Sequence, residues 1–193
     1  MKQHTALKGV EINQLERAYN KIHAWFFAFP KSEFSLNDLS KALNISKTTA
    51  NITVSQLVKD GFLNVSNIGK LWRIKANQDH RWFETRKIPF NLRVIYECGI
   101  IEWIEKNIQN AKAIILFGSY RKGDDIAESD LDIAVEVSGN KNLEICSVNI
   151  QELGYRKNVK ANIHLFSRNR INLNLFANIA NGIVLSGFFE VKP

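Results

Sequence analysis

The stretch Ala113–Val137, AIILFGSYRKGDDIAESDLDIAVEV, decides how the second half of the chain folds. Ala113 to Phe117 is an apolar run that stops at Gly118-Ser119. A second run, Leu131 to Val137, follows Ser129-Asp130, and both read as strands. Asp130 and Asp132 stand two residues apart, so the strand's period of two puts both side chains on one face, roughly 6 to 7 Å apart along the backbone. Leu131 and Ile133 point the other way, which leaves one face buried and one polar. Converging carboxylates are hard oxygen ligands suited to Mg²⁺, or Mn²⁺, that also holds the phosphates of a nucleotide. Gly118 lets the backbone come close to those phosphates, and Ser119 and its successors can open a helix with free N–H groups. Arg121 and Lys122 add positive charge beside them, so the combination points to metal-assisted phosphoryl chemistry. The plain alternative is a surface turn with two solvated acids.

Outward from this stretch, Leu92 to Ile108 shows helical spacing through Val94, Ile95, Cys98, Ile101 and Ile104. Downstream, Leu143 to Leu153 reads as a helix and Asn158 to Phe166 alternates as a third strand. Asn169 to Asn181 reads as another helix, and Ile183 to Val191 as a last strand or a partner surface. The polar phase of the third strand offers Asn162 and His164 but no acid. His164 suits a base near neutral pH, a metal ligand or a structural residue. Asp124, Asp125 and Glu128 in the loop between the motif strands are read as solvated acids, with replacement of a missing carboxylate as the alternative.

The first third has a different character. Helical spacing runs from about Ile12 to Phe29 and ends at Pro30. Ser35 caps a short helix through Leu36, Leu39, Ala42 and Leu43, and Asn44-Ile45 makes a turn. Ser46 caps a third helix with core face Ala50, Val54, Leu57 and Val58. Phe62 to Ser66 and Leu71 to Ile74 then read as two strands joined through Asn67-Ile68-Gly69-Lys70.

Both parts carry a family resemblance. Phe117-Gly118-Ser119, the following Arg121-Lys122-Gly123, and Ser129-Asp130-Leu131-Asp132 resemble the signature of the polymerase-beta-type nucleotidyltransferase superfamily, nearest to its minimal bacterial and archaeal members. That resemblance implies a mixed sheet with helices, an NTP substrate, and transfer of a nucleoside monophosphate to an acceptor hydroxyl. It makes Asp130 and Asp132 catalytic metal ligands, and Gly118, Ser119, Arg121, Lys122 and Ser129 the nucleotide contacts. The superfamily generally uses a third carboxylate from a later strand, which Asn158 to Phe166 lacks. Similar minimal enzymes modify a partner protein, notably the toxin of a toxin–antitoxin pair.

The stretch LNDLSKALNISKTTANITVSQLVKDGFLNV resembles the winged helix-turn-helix DNA-binding domain of small prokaryotic regulators. By that resemblance Lys47, Thr48, Thr49, Asn51 and Ser55 face DNA, with Lys70 and Arg73 as wing contacts to phosphate. Use of the same fold for protein contact or dimerisation is the alternative.

The expected class is therefore α+β. Residues 1–77 form a winged helix-turn-helix, 78–90 a linker, and 91–193 a minimal nucleotidyltransferase domain. Trp82 and Phe83 in the linker are expected to pack between domains or to serve as a base-stacking platform. Residues 1–77 hold 11 Lys and Arg against 5 Asp and Glu, while 78–193 hold 15 against 14. The basic excess of the first part suits nucleic acid or a solvated surface. With 45% hydrophobic residues the chain can build a core. No apolar run reaches the length of a membrane span and the N-terminus lacks a signal-peptide core, so the cytoplasm is expected. Cys98 and Cys146 sit in apparently helical stretches and are expected to be reduced. The reading leans to a Mg²⁺-dependent enzyme. A regulator or antitoxin whose second domain only binds nucleotide or a partner stands as the alternative, and a homodimer is the prior for a DNA-binding module.

Overall fold

The computed structural model describes residues 14–69 and 71–190, so Ile12, Lys70 and Val191 lie outside the described residues. Local rules set the first elements. Helix α1 (Gln14–Ala28) stops just ahead of Pro30, whose ring cannot continue a helix. Helix α2 (Leu36–Leu43) opens at Ser35, whose hydroxyl accepts the Asp38 N–H at 3.2 Å while the Asp38 carboxylate accepts the Ser35 N–H at 2.9 Å. That reciprocal pair satisfies two of the helix's free donors. Asn44, with φ of 49°, ends it, and Ser46 caps α3 (Lys47–Lys59) by accepting the Thr49 N–H at 3.0 Å. Strands β1 (Leu63–Ile68) and β2 (Leu71–Ala76) pair antiparallel, and Phe34 adds an isolated bridge to Ile74. Ile22, Phe26, Leu39, Val54, Leu57, Phe62 and Ile74 close the core between these elements. Three positions differ from expectation. α3 buries Thr53 and leaves Val58 38% exposed, and Ala42 of α2 is exposed as well.

Segment 78–90 is more than a polar connector. It holds α4 (Trp82–Thr85) and the start of α5 (Lys87–Glu97), with Pro89 in the first turn, where its missing N–H has no intrahelical partner to lose. Phe83 is buried against Phe27 and Phe62, and Phe90 touches both this core and the next. Trp25 of α1 also meets Tyr155 edge-on, with ring centroids 5.2 Å apart. The helix expected across Leu92 to Ile108 breaks at Cys98-Gly99, giving α5 and α6 (Ile100–Asn107).

Next come β3 (Ala111–Phe117), α7 (Gly118–Lys122) and β4 (Leu131–Val137). They are followed by β5 (Glu144–Leu153), β6 (Arg156–Phe166), α8 (Leu173–Ala180) and β7 (Ile183–Gly187). The sheet order is β5-β6-β4-β3-β7, with β4 and β6 parallel and the other neighbours antiparallel. Leu143 to Leu153 is thus a correction: it forms an edge strand, because Cys146, Val148 and Ile150 alternate onto the core face and the backbone pairs along β6. Cys146 accordingly lies on a strand, and both cysteines are free. One sheet face packs Ile114, Leu116, Ile133, Val135 and Ile163 against α5 and α6. The other packs Ala113, Ile115, Phe117, Ala134 and Phe166 around Ile179 of α8. The fold is α+β, and among the described residues no helix is long and apolar enough to cross a membrane.

Candidate active site

The register of the sheet assembles the site. β4 runs between β3 and β6, so Asp132 lies opposite Phe117 on one side and Asn162 on the other, with Asp130 just ahead of the strand. The two carboxylates do converge. Asn162 Nδ2 donates to Asp130 Oδ2 at 3.1 Å and to Asp132 Oδ1 at 3.4 Å. Ser147 on β5, the register partner of Asn162, donates its hydroxyl to Asn162 Oδ1 at 3.1 Å, which turns the amide nitrogen toward the acids. Lys160 Nζ is 3.8 Å from Asp130 Oδ2, and His164 Nε2 is 3.7 Å from Asp132 Oδ1. The His164 ring stands edge-on to Phe117, and both its nitrogens are buried without a hydrogen-bond partner among the described residues. Such orphaned polar atoms beside two carboxylates mark a place where a polar ligand would be satisfied.

Gly118 closes the site from above. Its φ is 73°, and a Cβ there would stand 2.6 Å from Asp132 Oδ2, so only hydrogen fits between backbone and carboxylate. Tyr120, two residues on, is buried and holds α7 in place, its carbonyl accepting from Asn91 Nδ2 at 3.0 Å. Ser119 is half-buried and lines a groove of ≈ 870 Å³, and Lys122 and Ser129 line it too. Asp130 and Asp132 do not line that groove, which opens beside them toward Lys31, His80 and Arg81. Arg121 is half-buried. The Ser129 hydroxyl accepts the Ile126 N–H at 2.9 Å, so it fixes the turn that delivers Asp130.

The loop between α7 and β4 is anchored by a buried cluster that sequence reasoning missed. Asp125 is not solvated. Its carboxylate lies 3.2 Å from Lys87 Nζ, accepts from Asn91 Nδ2 at 2.7 Å, and lies 3.9 Å from Arg156. Lys87 also donates to the Asp125 carbonyl, and Arg156 to the Ile126 carbonyl. Burial pushes the Asp125 carboxyl up and the Lys87 ammonium down, each partly offset by the other's charge, and burial lowers Arg156 to about 10. Asp124 and Glu128 are exposed. Glu136, the next acid on the site's side of β4, is 5% exposed and bound at both oxygens by Arg168, each contact 3.1 Å. Neither Asp125 nor Glu136 is therefore free to act as a third carboxylate.

On α3, Lys47, Thr48, Asn51 and Ile52 are exposed, Ile52 by 53%, and Ser55 Oγ lies 3.4 Å from Asn51 Oδ1. Thr49 is half-buried, and its hydroxyl lies 2.7 Å from Ser46 Oγ at the helix cap. Arg73 is exposed on β2, opposite Ser66, and Lys70 lies outside the described residues.

Among the described residues, no three His, Cys, Asp or Glu side chains are set to hold an ion by themselves. Two convergent carboxylates beneath a glycine backbone nevertheless fit Mg²⁺, which takes one or two carboxylates and completes its shell with phosphates and water. No curated protein matches the chain. Residues 99–187, from Gly99 ahead of α6 to the end of β7, match the family described as polymerase beta, nucleotidyltransferase, and the α+β sheet with its helices is consistent with that fold.

Proposed function

We propose that residues 91–193 transfer a nucleoside monophosphate from an NTP to an acceptor hydroxyl, and that residues 1–77 form a winged helix-turn-helix that binds DNA. The observation that carries the first part is the convergence of Asp130 and Asp132 on Asn162 beneath the backbone of Gly118. Asp130 and Asp132 would hold Mg²⁺, which when bound draws charge from the phosphates and orients them. Gly118 and Ser119 bring backbone N–H groups to the triphosphate, and Arg121 and Lys122 offset its charge. The acceptor oxygen forms its bond to the α-phosphorus as the bond to pyrophosphate breaks. The acceptor proton leaves to water or to His164, whose nitrogens have no other partner among the described residues.

The helix order α1 to α3, the three-residue turn Asn44 to Ser46 and the β1–β2 hairpin support the DNA-binding assignment. So do the exposed Lys47, Thr48, Asn51 and Arg73. A DNA-binding module joined to a transferase suits a chain that modifies a partner protein and regulates the pair's expression, as the toxin–antitoxin resemblance implies. One observation favours a second reading. Asn162, where the superfamily places an acid, cannot take a proton, which suits a regulator whose second domain binds nucleotide without turnover.

Equilibrium binding of each NTP with and without Mg²⁺ tests the nucleotide site. Mg²⁺-dependent affinity that is lost in Asp132→Asn is expected, and equal affinity in both proteins would refute the assignment. Mobility shift on duplex DNA, compared between the native chain and Lys47→Ala/Arg73→Ala, tests the first domain.

A further inference from the structure

Two features of the polar sheet face have no part in that reading, the Ser147 hydroxyl behind Asn162 and Lys160 beside Asp130, and both bear on the double hydrogen bond from Asn162 to the carboxylates. A hydrogen-bonding amide could point either its oxygen or its nitrogen at the acids. Here the nitrogen side is selected, because Oδ1 is occupied by the Ser147 hydroxyl at 3.1 Å. The amide therefore donates where a carboxylate would repel, at 3.1 and 3.4 Å. Lys160, with its Nζ 3.8 Å from Asp130 Oδ2, removes further negative charge from the same pair.

Other acids cannot make up the charge. Asp125 is paired with Lys87 at 3.2 Å, and Glu136 is held by Arg168. The site thus presents two carboxylates, already drawn together without an ion, and one cation at their rim. Affinity of an oxygen site for a divalent ion follows the number of charged ligands it offers. Two neighbouring ions lie only roughly 3.5–4 Å apart, and two carboxylates offset their mutual repulsion less than three would.

We propose that Asn162 and Ser147 are positioning residues: a neutral tether that holds Asp130 and Asp132 together and restricts the site to one divalent ion per bound nucleotide. The inference rests on the nucleotide reading above and names the ion occupancy of that same site. It predicts that Asn162→Asp, nearly equal in size, turns a one-ion site into a two-ion site. It also predicts that Ser147→Ala frees the amide to turn Oδ1 toward an ion.

The test uses the full chain and Mn²⁺, with free Mn²⁺ counted by its paramagnetic resonance. Titrations run alone and with saturating α,β-methylene ATP or GTP. The native chain is expected to hold one Mn²⁺ per bound nucleotide. Asn162→Asp should hold two, bind Mn²⁺ alone about tenfold more tightly, and melt at a higher temperature on Mn²⁺ addition by more than the native chain does. Ser147→Ala should tighten Mn²⁺ binding by a smaller factor. A purely structural role for Asn162 would move the melting temperature of Asn162→Asp without any Mn²⁺ dependence, and would overturn the proposal. Asp130→Asn separates the two levels of the argument. If it leaves Mn²⁺ binding unchanged in every background, the carboxylate pair is not the ion's seat and the nucleotide reading falls together with this one. If it abolishes binding while Asn162→Asp binds no tighter than native, or if the native chain carries two ions per nucleotide, the tether proposal alone is refuted.

Discussion

Replacing Lys87 by Met removes one side of the buried pair that anchors the loop carrying Asp130. Lys87 is 0% exposed and Asp125 2%, their charged atoms 3.2 Å apart. Without Lys87, Asp125 keeps the Asn91 amide at 2.7 Å, but its nearest cation becomes Arg156 at 3.9 Å. Breaking a buried pair from one side costs about 3–5 kcal/mol, because a charge is left without compensation. For a chain of this size that corresponds to roughly 6–20 °C in melting temperature. Burial already raises the Asp125 carboxyl, and the Lys87 charge is the largest opposing cause. Its loss moves the folded-state pKa further above the unfolded value of about 3.9. A raised carboxyl binds more protons in the folded state, so the variant loses stability as pH rises through that window, and the deficit is larger at pH 7 than at pH 4.5. Urea and thermal unfolding at both pH values measure this. Lys87→Met/Asp125→Asn, which removes the orphaned carboxylate, should recover part of the loss. A Lys87→Met variant within about 1 kcal/mol of native, or with a pH-independent deficit, would refute the reasoning.

Other consequences can be measured in the same way. Gly118→Ala should lose about 1–2 kcal/mol from its left-handed backbone alone and should weaken nucleotide binding more than tenfold, since its Cβ would meet Asp132 Oδ2 at 2.6 Å; calorimetry and binding titration report the two effects. His23, 6% exposed among Phe27, Phe62 and Trp82, has its pKa lowered by burial to about 3. A depressed folded-state value means stability falls as pH drops from about 6.5 toward 3, by up to about 1.4 kcal/mol per pH unit, and His23→Phe should flatten that part of the unfolding curve. Lys47→Ala and Arg73→Ala should each reduce the salt dependence of DNA binding by about one unit in the log–log slope if each neutralises a phosphate.

Much of the second half was legible because its signals were local. Ala113 to Phe117 and Leu131 to Val137 are apolar runs bounded by polar breaks, and Val159, Ala161, Ile163 and Leu165 alternate without exception; all three became sheet strands. Asp130 and Asp132 could be placed on one face by strand period alone. Leu143 to Leu153 misled because Cys146, Ile150 and Leu153 also satisfy helical spacing. Val148 is the residue that fits only a strand, and pairing with β6 decided the outcome. The anchor at Lys87, Asp125 and Arg156 gave no sequence signal, since its members lie 38 and 31 residues apart. Each sits in polar surroundings that read as solvated, and only tertiary packing buries them. Asn162 was visible as the residue without acid character, but its bond to both carboxylates depends on the parallel register of β4 and β6.

The central claim is that the Asp130–Asp132 pair supports nucleotidyl transfer. Its most direct measurement is transfer of label from each α-labelled NTP, with Mg²⁺ or Mn²⁺, to protein or RNA in a lysate, with Asp130→Asn and Asp132→Asn run alongside. The account predicts label that appears with the native chain and is absent with both variants. Label of equal intensity in the variants, or none with the native chain under any NTP and metal, would contradict it.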